Sequence, residues 1–162
     1  MALSKITNGG VAASGIPSGG IIQVQQTVIT TPYTMTASYA DMTGFSVSIT
    51  PISTSNKILV QVNLQGRVTT TEGWGIRLYR GATLIHDPTP DTGGPPYFLY
   101  NGTVSDTHLS GVFSYLDSPS TTSATTYKLQ GRKRTASGTI ELPSSGTANN
   151  GAASITVMEI AG

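Results

Sequence analysis

From Ile21 onward, apolar and polar residues alternate with a period of two. That spacing sends alternate side chains to one face of a sheet. Ile22, Val24 and Val28 alternate with polar neighbours, and a Thr-Pro turn at Thr31 and Pro32 closes the run. Met35, Ala37 and Tyr39 alternate with Thr and Ser, and Phe45, Val47 and Ile49 with Ser46 and Ser48, until Pro51 stops the strand. The strongest run covers 57–68, with Ile58, Val60, Val62 and Leu64 on one face and Gln61, Asn63 and Gln65 on the other. Trp74, Ile76 and Leu78 form the next face, and Arg80 with Gly81 reads as a hairpin turn into 83–86.

Further along, Leu109, Gly111, Phe113 and Tyr115 share one face of 107–116 while Val112 and Leu116 share the other. Apolar residues on both sides predict a central or interface strand. Tyr127 and Leu129 alternate in 126–131, and 154–160 places Ile155, Val157 and Glu159 opposite Met158 and Ile160. Eight to ten short strands at regular spacing, with no helical period, predict an all-β fold. A jelly-roll β-sandwich fits the strand number and the length of 162 residues.

Two segments break the pattern. Residues 86–96 (HDPTPDTGGPP) hold prolines too densely for an interior strand and read as the main loop. Residues 1–20 are small and Gly-rich, with too few large side chains to build a core. The expected organisation is an extended N-terminal arm, 1–20, followed by a sandwich domain, 21–162. Leu3, Ile6, Val11 and Ile16 are the arm's candidate anchoring residues. The arm lacks the apolar stretch of a signal peptide, so Sec export is not expected. No apolar run reaches the ~20 residues that cross a bilayer, and no membrane partner is expected.

Composition narrows the chemistry. Cysteine is absent, which excludes disulfides and thiolate metal sites. Charged residues make up 10% of the chain and the formal net charge is +1. Phosphate-gripping proteins show a basic stripe, so no nucleic-acid partner is expected. Arg132, Lys133 and Arg134 form the one basic cluster and read as a solvated loop after a strand. The two histidines, His86 and His108, match no metal-ligand spacing, although Asp87 and Asp91 lie near the first. There is no G-x-S-x-G elbow and no P-loop. The reading is therefore non-enzymatic and without cofactor or metal. Asn101, Gly102 and Thr103 match the glycosylation acceptor pattern, read as incidental. Trp74 is expected in the core, whereas Tyr97 and Tyr100, beside the loop, are candidate glycan contacts.

Taken together, MALSKITNGG, GGIIQVQQTV, GFSVSITPISTSNKILVQVNLQG, GIRLYRGATLI and SITVMEIAG resemble a group of small tailed-phage virion surface proteins. These are described as capsid-decoration, head-fibre or tail-fibre components. The resemblance covers most of the chain from Ile21, and 86–102 is its least recognisable part. It implies a trimeric jelly roll of the C1q and tumour-necrosis-factor type, with no catalytic residue carried over. It further implies a virion location on the outer capsid surface and the major capsid protein as partner. The expected role is a decoration or cement protein that bridges capsid subunits; the alternative is a fibre component binding a host glycan. Within the expected homotrimer, Phe113, Tyr115, Met158 and Ile160 are the candidate interface residues, because apolar side chains on a two-sided strand need cover.

Overall fold

The computed structural model describes residues 15–88, 98–102, 106–144 and 151–162. Eleven strands run in chain order: β1 (Ile21–Ile29), β2 (Tyr33–Thr34), β3 (Ala40–Ile49), β4 (Lys57–Val68), β5 (Glu72–Arg80), β6 (Thr83–His86), β7 (Leu99–Asn101), β8 (Thr107–Asp117), β9 (Thr125–Lys133), β10 (Ile140–Leu142) and β11 (Ala153–Ile160). No α-helix occurs among the described residues.

All pairings are antiparallel. One sheet runs β1-β11-β4-β8, with β10 beside the far end of β4 and β2 beyond it. The other runs β3-β9-β5-β6, with β7 against the start of β5. Setting aside the short β2, β7 and β10, the eight long strands pair in the order 1-8-3-6 and 2-7-4-5. Two four-stranded sheets wound in this order make a jelly roll. The all-β sandwich expected from period-two alternation is what the structure shows.

The core lies between the sheets. Ile58, Val60, Val62 and Leu64 of β4 and Ile155 and Val157 of β11 face Phe45, Trp74, Ile76, Leu78, Tyr127 and Leu129, all buried. Each comes from the apolar phase of its strand, which is why alternation located the core. Trp74 is fully enclosed, as expected of a large aromatic that stabilises through burial.

Gly73 shows how close the packing is. A Cβ at this position would stand 2.8 Å from the Leu99 carbonyl oxygen and 3.1 Å from Tyr100 Cδ2. Backbone cannot rotate out of the way, so Gly73→Ala should pry β7 from β5. The expected loss is about 1–3 kcal/mol, the usual cost of overpacking. Chemical denaturation checks it, and an unchanged midpoint would show that β7 is not held this way.

Three sequence expectations change. The run Met35, Ala37, Tyr39 is not a strand but the segment that carries the chain between sheets. Met35 N–H donates to Ile140 O (2.9 Å) on β10, and Thr36 O accepts from Lys133 N–H (2.8 Å) on β9. Strand β8, for which two-sided apolar character predicts a central or interface position, pairs among the described residues only with β4, so it is an edge strand and not a central one. Arg132 and Lys133 belong to β9, and neither they nor Arg134 form a solvated loop. The Arg132 and Arg134 guanidinium groups lie 5.5 Å from the ring centres of Tyr39 and Tyr100 respectively, while Lys133 Nζ donates to Ala136 O and Gly138 O.

Candidate functional site: the outward faces of the sandwich

The described acidic side chains are bound into the fold. Seven of the eight lie in the described residues, and each is tied into the fold; Asp91 lies outside them. Asp41 accepts from Lys128 Nζ (2.6 Å) and Gln130 Nε2 (2.8 Å). These bonds hold its carboxyl below the usual range. Asp87 pairs with Arg77 at 2.7 Å. Arg67 lies between Asp106 (2.8 Å) and Glu141 (3.5 Å), and its hydrogen bonds lower the Asp106 pKa. Asp117 accepts from Arg80 and from the Tyr127 hydroxyl. Glu72 is fully buried and accepts from Gly73 N–H, Thr135 N–H and the Thr135 hydroxyl. Glu159, also fully buried, accepts from Gln23, Ile52 and Asn56.

The histidines are placed likewise. His86 stacks on Tyr115, with centroids 4.8 Å apart, and tilts against Phe113 at 5.7 Å. Its neighbour Asp87 turns to Arg77, so the two are not paired as ligands. His108 stands opposite Arg67 in the β4–β8 register. Among the described residues, no three His, Asp or Glu side chains gather as a metal site.

What remains is surface. The outer face of β3-β9-β5 carries cations beside aromatic rings, with Arg77 and Lys128 also paired with Asp87 and Asp41. Arg77 lies 3.7 Å above the Tyr39 ring, with Arg132 also near it. Lys128 sits near Tyr79 at 5.9 Å. Sequence reasoning missed Tyr39 because it lies in the irregular crossing segment.

By contrast, the outer face of β1-β11-β4-β8 carries little charge. Register defines its rows. One row joins Val24, Met158, Leu59 and Leu116; a second joins Gln26, Thr156, Gln61 and Ser114; a third joins Val28, Ser154, Asn63 and Val112. Val24, Val28, Val112 and Leu116 are 51%, 57%, 71% and 49% exposed, which is far from the burial such side chains normally reach. Lys57 and Arg67 border the face at its ends. A shallow depression of about 530 Å³ runs over the middle and third rows.

The sequence-derived candidates scatter over this frame. Met158 and Ile160 lie on the outer face, each half-buried. Phe113 and Tyr115 lie on the inner face of the same sheet, against the core and His86. Alternation along a strand separates them, so the four do not form one patch. Ile16 is half-buried and packs on Gly20, while Leu3, Ile6 and Val11 lie outside the described residues. Tyr100 is 44% exposed beside Arg134, and Tyr97 lies outside the described residues.

No family model and no curated protein matches the chain. Solved structures do. The chain is similar to the infectious bursal disease virus VP2 subviral particle, at 13% identity and TM-score 0.48, over 100% of this chain and 37% of that one. It is similar to a structure of the Gt strain of the same virus, at 15% identity and TM-score 0.48, covering 43% of that chain. A third is the T13 particle of that virus, at 14% identity and TM-score 0.49, over 99% of this chain and 40% of the other. The chain thus spans about two fifths of the length of the solved chains it matches.

Proposed function

We propose that this chain is a non-enzymatic virion structural protein of the capsid decoration or cement type. In this reading three copies assemble, sit on the outer capsid surface and bridge subunits of the major capsid protein. One observation carries it: the described acids are consumed by structural bonds, while a whole sheet face presents Val, Leu and Met among uncharged amides and hydroxyls. Large exposed apolar area marks a surface made for protein contact. The sequence resemblance to phage virion proteins supplies the particle.

The arm has a fixed point of departure. Gly19 N–H donates to Ala161 O at 2.8 Å, and Ala161 N–H to Gly20 O at 2.9 Å. The arm therefore starts beside the C-terminal end of β11. In this reading residues 1–14, with Leu3, Ile6 and Val11, bind a neighbouring capsid subunit through strand-edge hydrogen bonds, while Ile16 stays packed on Gly20.

The test uses particles lacking the protein. Full-length chain should decorate them at hundreds of copies, and a chain lacking 1–20 should fold but not attach. Equal decoration by both would remove the arm from the anchoring role. A handful of copies at the tail would instead support a fibre component, whose exposed Tyr100, with Tyr97, stacks on a host glycan.

A further inference from the structure

The apolar outer face of β1-β11-β4-β8 ends on two edges that carry unusually little protection. Strand β1 reads IIQVQQTVI, without a charge or a proline. In β8 the acidic and basic residues are His108 and the final Asp117. Natural edge strands are normally guarded by charges, prolines or bulges, because an open edge templates further pairing. Here β1 carries a bulge only at its start, between Ile21 and Gln23. Both flanks also carry paired exposed apolar residues four positions apart: Val24 and Val28 on β1, Val112 and Leu116 on β8.

We infer that the β8 flank of one copy packs against the β1 flank of the next, closing a cyclic assembly around an axis parallel to the strands. This rests on the trimeric reading above and adds the surface and the contacts. Rotation about such an axis leaves every residue at its own height. Val28 and Val112 share one row of the sheet, and Val24 and Leu116 another. Val112 of one copy therefore meets Val28 of the next, and Leu116 meets Val24. Between them the middle row brings Ser114 opposite Gln26. Hydroxyls and amides both donate and accept, so this row can satisfy its own copy. The absence of charge between the border cations removes the repulsion that like surfaces otherwise feel. The occupant is thus a second copy of this chain, held in a head-to-tail contact that closes as a ring.

Charge reversal across the contact tests the pairing. Val112→Lys and Val28→Glu are each made in the full-length chain, at positions exposed enough to leave the subunit folded, as circular dichroism and melting would verify. Light scattering at micromolar concentration should report trimers for the parent and monomers for each single variant. The double variant should return to trimers, because lysine then faces glutamate. Trimers that persist in both single variants, or single variants that dissociate without rescue by the pair, overturn this contact while leaving trimerisation itself intact. A parent that stays monomeric, both alone and on the particle, overturns the trimer and this contact with it. A two-fold dimer would show face-to-face packing and overturn the ring.

Discussion

Replacing Asp117 with Ala should destabilise the protein by about 3 kcal/mol, the lower end of the cost of breaking a buried ion pair, because Arg80 keeps some contact with water. Asp117 ends β8 and is 6% exposed. Arg80 Nη1 donates to both of its oxygens, at 2.9 and 2.8 Å, and the Tyr127 hydroxyl donates at 2.7 Å. Arg80 and Tyr127 stand opposite one another on β5 and β9, in the second sheet. The carboxylate therefore ties the two sheets together at one end of the sandwich. Burial, then the bond to Asp117, pushes the Tyr127 hydroxyl proton well above its ordinary pKa. It stays a donor throughout the accessible pH range. Tyr127→Phe should cost less, about 2 kcal/mol, the value of one hydrogen bond to a charged group. A double-mutant cycle should show that the two losses do not add. Denaturation of Asp117→Ala with a loss below ~1 kcal/mol would mean that water replaces the carboxylate and that the tie is incidental.

That tie was not legible in the sequence, although the strands it joins were. Period-two alternation located β1, β3, β4, β5, β8, β9 and β11, because each runs eight residues or more. It missed β2, β7 and β10, which span two or three residues and are too short to show a period. It also made a strand of Met35, Ala37 and Tyr39. Met35 is buried and Tyr39 is half-buried beneath Arg77, but the backbone there is bonding to two different sheets.

A subtler failure concerns direction. Alternation says which residues share a face, not which face turns inward. Val24 and Val28 alternate as well as Val60 and Val62, yet the first pair faces out and the second pair faces the core. Only the register with β11 decides this. The same ambiguity mixed Phe113 and Tyr115 with Met158 and Ile160 as one candidate interface. The signal for the outward apolar face was nonetheless present: nine residues of β1 hold no charge, and an edge strand that is solvated on one face should hold some. The buried acids left no such trace, since a lone Asp or Glu in sequence carries no mark of its partners.

Glu159 shows most clearly what such an acid does, and it sets the expected response to pH. It sits on the core-facing phase of β11 and is fully buried. Burial by itself raises a carboxyl pKa, but the side-chain bonds from Asn56 and Gln23, with the N–H groups of Ile52 and Ser53, outweigh it and lower the pKa. The Asn56 and Gln23 bonds are both 2.6 Å, and that from Ile52 is 2.8 Å. Asn56 in turn accepts from Gly162 N–H at 3.1 Å. One carboxylate thus gathers β1, the β3–β4 connection and the chain's last residue. A carboxyl whose folded pKa is depressed contributes stability that is complete above its unfolded pKa, about 4.3 for Glu, and is lost as pH falls through the folded value. Stability of the parent should therefore fall as pH drops from about 5 to 3. Asp41 and Asp106, also depressed, fall with it, so the comparison that isolates Glu159 is with Glu159→Gln, which cannot titrate. The variant should be less stable at neutral pH and show a shallower acid slope. Glu159→Ala should lose about 2–6 kcal/mol at pH 7, because Ile52 N–H and the Asn56 amide are then left without an acceptor, at about 1–3 kcal/mol each. Denaturation midpoints across that pH range decide the matter: parallel curves for parent and Glu159→Gln would show that the carboxylate's charge does not hold these segments together.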